Sequence, residues 1–158
     1  MKKLILLLTL TLPLLALAAP PTEAPTGWER RLIASVICAE SGGEIRVGQE
    51  AVYEVLWTRA TDRKRSLARV ALRPKQFSCL NNRTAASLVL AMSKHKHYRW
   101  VHDTLLKFPP LTLHTVHPSM EKLNTNRANH YHATRVSPYW AKGQSGKVIG
   151  NHKFYRIK

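Results

Sequence analysis

The stretch LIASVICAESGGEIRVGQEAVYEVLWTR, residues 32–59, decides how the chain is read. Leu32, Ile33, Val36 and Ile37 recur at helical spacing and define one apolar face. Gly42-Gly43 follows, and a glycine pair predicts a helix ending in the left-handed conformation. Val47, Ala51, Val52, Val55 and Leu56 then resume the helical period up to about Arg59. Working outward, Ser66 predicts the cap of a short third helix running through Leu72 and stopped by Pro74. Thr84 predicts the cap of a fourth, with Ala85, Leu88, Val89 and Met92 on its apolar side. The second half is punctuated by Pro109-Pro110, Pro118 and Pro138, and its segments His130-Tyr131-His132 and Lys153-Phe154-Tyr155 read as strands. The expected fold class is α+β, a helical domain with a small sheet or hairpin packed at one end.

The N-terminus has the layout of a secretory signal: Lys2 and Lys3, an apolar run from Leu4 to Leu15, then Ala16-Leu17-Ala18. Residues 1–18 are expected to be the signal, residues 19–27 a linker rich in Pro, and residues 28–158 one folded domain, as the length of 158 suggests. The alternative for the apolar run is an uncleaved anchor. Export places the protein in the periplasm or outside the cell, where Cys38 and Cys79 can form a disulfide; two small buried thiols are the alternative. The 25 Lys and Arg against 9 Asp and Glu give a net charge of +16. Such a charge attracts anionic envelope polymers or lipids, while export argues against nucleic acid.

Acid is scarce, and its placement narrows the search for chemistry. Eight carboxylates follow the linker, and Glu40, Glu44, Glu50 and Glu54 lie in one short stretch. Glu40 ends an apolar helix directly before the glycine turn. An apolar surrounding favours the protonated carboxyl, which is what a glycosidase needs to protonate a leaving oxygen. Glu44 stands across the glycines, either as a second carboxylate or as a ligand for backbone amides at the start of the second helix. Glu50 and Glu54, one turn apart and near Arg46, read as a solvated face.

Residues 33–44 (IASVICAESGGE), the Val47-Gly48-Gln49-Glu50-Ala51-Val52 block and Arg59 resemble the SleB/CwlJ family of cell-wall hydrolases. So do Gln76-Phe77-Ser78, His130-Tyr131-His132, Pro138-Tyr139-Trp140 and residues 149–155, in the same order along the chain. The resemblance spans roughly residues 30–157. It implies a lysozyme-like fold related to lytic transglycosylases, peptidoglycan as substrate, and Glu40 as the catalytic acid in a Glu-Ser pair with Ser41. Catalysis would fall to Glu40, with Glu44 as a candidate second carboxylate. Ser41, Gln49, Gln76, Tyr131, His132, Tyr139 and Trp140 are the candidate contacts to the glycan, and for Tyr131, Tyr139 and Trp140 filling the core is the alternative. Thr58 stands where the family has Asn, and Tyr53 and Trp57 are bulkier than usual.

The expected reaction is cleavage between N-acetylmuramic acid and N-acetylglucosamine by a monomeric lytic transglycosylase that needs no cofactor. Hydrolysis through Glu40 and Glu44 is the nearest alternative. A metal-dependent hydrolase or nuclease is the next, because the chain has eight histidines, among them His95/His97, His114/His117 and His130/His132, which Glu40 or Asp103 would complement. No His-Glu-x-x-His or Cys-x-x-Cys pattern supports that reading, and no metal ligand is assigned. The Lys94–Arg99 run followed by Trp100 reads as a solvated basic surface, or as the contact of a non-catalytic envelope or nucleic-acid binder.

Overall fold

The computed structural model describes residues 23–110, 125 and 127–158. The expected signal, His114, His117, Pro118 and Glu121 lie outside the described residues. Helix α1 spans Gly27–Ser41 and α2 spans Arg46–Asp62. Helix α3 (Leu67–Ala71) is capped by the Ser66 hydroxyl, which accepts from the Arg69 amide at 3.3 Å. Helix α4 (Ala85–Met92) is capped by Thr84, whose hydroxyl accepts from the Ser87 amide at 3.1 Å. Short 3-10 turns at Ser78–Leu80, Leu105–Lys107 and Tyr139–Ala141 and a helix α5 (Tyr98–Asp103) complete the helical part. Strands β1 (His130–Ala133), β2 (Lys147–Ile149) and β3 (His152–Tyr155) form an antiparallel sheet in the order β1-β3-β2. The protein is therefore α+β, as expected.

Helix α2 is the core of the helical part. Every residue from Gln49 to Ala60 is buried except Glu54. The unusually bulky Tyr53 and Trp57 fit because their rings meet edge to face, 6.1 Å between centroids, and the Tyr53 hydroxyl donates to the Phe108 carbonyl at 3.2 Å. From the sheet, Phe154 and Ile149 join the same core.

Four local expectations are corrected. Helix α1 does stop at the glycines, but Gly42 has φ −66° rather than a left-handed conformation. Its requirement is space: a Cβ there would lie 2.7 Å from the His95 imidazole. The Lys94–Arg99 run is not simply a solvated surface. His95 is half-buried against Gly42, and Tyr98 opens α5, which packs with Trp100 and Val101 on the core. Cys38 and Cys79 form no disulfide; Cys38 is sealed in the core face of α1 and Cys79 is half-buried. Burial pushes both thiols up to about 12, so neither supplies the thiolate that exchange requires.

Finally, Glu50 is not on a solvated face. It is 9% exposed, and its Oε2 has no hydrogen-bond partner. Burial pushes its carboxyl pKa up to about 7, against a weaker opposing pull from Arg46. The folded value lies above the ordinary one of 4.5, so the native state retains a proton that the unfolded chain has released. The contribution of Glu50 to stability is therefore fully present below pH 4.5 and is lost as the pH rises to about 7. Urea unfolding should show this fall, on the order of 3 kcal/mol, and Glu50→Gln, which keeps the shape of the protonated acid, should abolish it.

Candidate active site

Two distant segments converge on Glu40, at the end of α1. Its Oε1 accepts from the Ser78 hydroxyl at 3.0 Å and from the Cys79 backbone N–H at 3.0 Å, both in the Ser78–Leu80 turn. Its Oε2 accepts from the Tyr131 phenol of β1 at 3.2 Å. The surrounding is thus polar and half-exposed rather than the apolar pocket expected from the helix alone. An open groove of about 580 Å³ runs beside it, lined by Ala39, Gly43, Ser78, Asn82, Arg83 and His95 among others. Burial and the negative charge of Glu40 raise the Tyr131 pKa well above the usual phenol value, which keeps Tyr131 a neutral donor.

Arg59 stands behind this pair. It is 8% exposed, donates from Nε to the Asn129 carbonyl at 2.7 Å, and lies 5.4 Å over the Phe77 ring. Its positive charge interacts with Tyr131 and Glu40, and its Nη1 has no hydrogen-bond partner. Burial lowers its pKa from the ordinary guanidinium value.

Glu44 is engaged elsewhere. It is 7% exposed, and both carboxylate oxygens accept from the Asn151 N–H, at 3.0 and 3.1 Å. His152 Nδ1 stands 2.9 Å from its Oε1. The amide it binds is therefore in the β2–β3 turn, not at the start of α2. Gly150 occupies that turn with φ +58°, and a Cβ on it would collide with Glu44 Oε2.

The remaining sequence candidates fall into three groups. Ser41 and Gln49 are buried: the Ser41 hydroxyl donates to the Ile37 carbonyl at 2.7 Å, and Gln49 Nε2 reaches the Ser41 and Glu44 carbonyls at 3.4 and 3.5 Å. They shape the loop between α1 and α2. Gln76 accepts from Arg63 Nη1 at 2.8 Å. His132, Tyr139 and Trp140 belong to the other face of the sheet from Tyr131. Side chains alternate along a strand, so Tyr131 packs on Phe154 and His152, while His130 and His132 gather with Trp140 and Tyr155. Neither imidazole is thereby directed with Glu40 toward a common ion. Among the described residues, no group of three His, Cys, Asp or Glu side chains is placed to hold a metal. Asp103 is paired with His102 at 2.6 Å.

Sequence reading missed Ser78, the Cys79 amide and the electrostatic role of Arg59. The signal for Ser78 was present in the Gln76-Phe77-Ser78 triplet, but it drew attention to Gln76, the longer polar side chain.

A half-exposed carboxyl group held by three donors, two of which line a groove, is suited to general acid–base chemistry. Residues 43–155 match the sequence profile of cell wall hydrolases, so the chain belongs to that family. The catalytic domain of the Bacillus cereus SleB protein, known from a crystal structure, shares the fold with a TM-score of 0.50 and 22% identity over 84% of this chain and 95% of that one. No curated protein matches the chain. Glu40 lies just before the span matched by the family. The family places the enzyme at the cell envelope or outside the cell.

Truncating Glu44 would leave the Asn151 amide without its buried acceptor. Glu44→Ala is expected to lower stability by about 3 kcal/mol. Chemical denaturation of the pure variant checks it; an unchanged midpoint would show that Glu44 does not hold the turn.

Proposed function

We propose that the enzyme cleaves the glycan strand of peptidoglycan between N-acetylmuramic acid and N-acetylglucosamine by lytic transglycosylation, with Glu40 acting first as acid and then as base. The supporting observation is the contrast between the two candidate carboxylates. Glu40 is half-exposed and two of its donors, Ser78 and the Cys79 amide, line the groove, whereas Glu44 is buried and spends both oxygens on Asn151. A single available carboxyl group suffices for transglycosylation, because no water has to be activated.

In this reaction the Glu40 proton is carried on Oε2, with the Tyr131 phenol turned to accept from it. Glu40 delivers that proton to the glycosidic oxygen as the bond to the anomeric carbon breaks. The resulting carboxylate is stabilised by the Ser78 hydroxyl, the Cys79 amide and the Tyr131 phenol turned back as donor. It then takes the proton of the muramic C6 hydroxyl while that oxygen bonds to the anomeric carbon, closing a 1,6-anhydro ring and restoring the acid. Positive charge on the sugar ring develops beside a carboxylate becoming negative, the electrostatic complement of a glycosidase transition state. The groove beside Glu40, with Asn82 and Arg83, offers donors for the sugar substituents.

The same reading takes residues 1–18 as a cleaved signal, exporting a monomer to the periplasm or medium, where the charge of +14 that remains after Lys2 and Lys3 leave with the signal favours an acidic envelope.

Digestion of purified sacculi with the mature protein should release muropeptides ending in 1,6-anhydromuramic acid. Glu40→Gln should lower that release by roughly 10²–10⁴-fold. Reducing ends in place of anhydro ends would make the reaction hydrolysis and bring Glu44 back as base. Unimpaired release by the variant would remove Glu40 from catalysis.

A further inference from the structure

The outer face of the sheet carries a second groove, of about 680 Å³. Its floor is His132, Lys153 and Tyr155, and its walls include Val136, Tyr139 and Lys142. A cavity of this size accommodates a small molecule or a few sugar rings. It is built on the strand positions that face away from Tyr131, and so away from Glu40.

Exposed apolar side chains concentrate here. Of the eight large hydrophobic residues exposed in the described chain, three line this groove, Val136 at 46%, Tyr139 at 92% and Val148 at 57%, and a fourth, Trp140 at 39%, packs against its His132 and Tyr155. Scattered single residues would need no explanation, but a cluster does. Tyr139 contributes nothing to the core at that exposure. It is nevertheless held: Pro138 sets the start of the Tyr139–Ala141 turn, and the neighbouring Trp140 is wedged edge-on against His132 and Tyr155 at 5.6 and 5.4 Å. The lining also has a sign. Lys142 and Lys153 contribute positive charge, and no acidic side chain takes part. Aromatic faces cover the C–H faces of sugars, and lysines draw in carboxylates.

We infer that this groove is a binding site for an acidic glycan, a strand of sugar rings bearing carboxylate-ended peptide stems, and that it holds the polymer at a point separate from Glu40. It rests on the proposed function for the nature of that polymer. Two contacts on one polymer raise the effective concentration of strand at the catalytic groove without any new contact there.

The test is sedimentation of Glu40→Gln protein with purified sacculi, with and without Tyr139→Ala and Lys142→Ser. Both added positions are exposed, and circular dichroism confirms that folding is intact. The triple variant should bind with a Kd about tenfold higher, and binding of the parent should weaken with salt. An unchanged Kd would overturn the inference. So would a loss of binding confined to phosphatidylglycerol vesicles, which would make the groove a lipid site. Muropeptide release by the unsubstituted chain is scored separately. Release together with an unchanged Kd sinks the groove alone, while a raised Kd without release keeps the groove as a glycan site and removes the proposed reaction.

Discussion

A buried carboxylate joins the two halves of the molecule. Glu44 leaves the loop between α1 and α2 and places both oxygens on the Asn151 amide, with His152 alongside. Burying an unpaired carboxylate would be prohibitive, so the turn must remain seated for the loop to hold its shape, and the reverse is equally true. Gly48 and Gly150 make the approach possible, since a Cβ on either would run into the Glu44 side chain. Seating the turn fixes β3, β3 fixes β1 through their register, and β1 delivers Tyr131 to Glu40.

Charge is distributed along the same line. The few carboxylates in this basic chain are not spread as a solvated pattern. Glu29 accepts from the Ala68 amide, Asp62 pairs with Arg156, Glu44 holds the turn, and Glu50 is buried on α2. Glu40 accepts from two donors, the Ser78 hydroxyl and the Cys79 amide, that also line an open groove. Arg59, buried behind it, provides a fixed positive charge that water screens little.

The sheet also divides the aromatic residues of the second half between two tasks. Because neighbours on a strand face opposite sides, Tyr131 and His132 cannot serve one site, although they are adjacent in sequence. Tyr131 donates to Glu40, and His132 supports a separate aromatic and basic surface with Trp140 and Tyr155. The cluster of family-like motifs near the C-terminus therefore supplies two faces of the molecule.

Much of the architecture was legible in the sequence because it depends on local signals. Helical periodicity located α1 and α2, hydroxyl caps located α3 and α4, and alternating aromatic segments located β1 and β3. Helix α5 and strand β2 were missed, since the first lies in a Lys-rich and His-rich run and the second has three residues with little pattern of their own. The sequence by itself determined the helix–glycine–helix frame, the basic charge and the prominence of Glu40, all properties of composition and short-range spacing. Only the tertiary structure decided what surrounds each carboxylate. Ser78, Tyr131 and Asn151 are tens of residues from the groups they bind, and the burial that raises the Glu50 pKa comes from segments packed around α2. Hydrogen bonding and desolvation act over a few ångströms of space, and proximity in space is what a linear pattern does not contain.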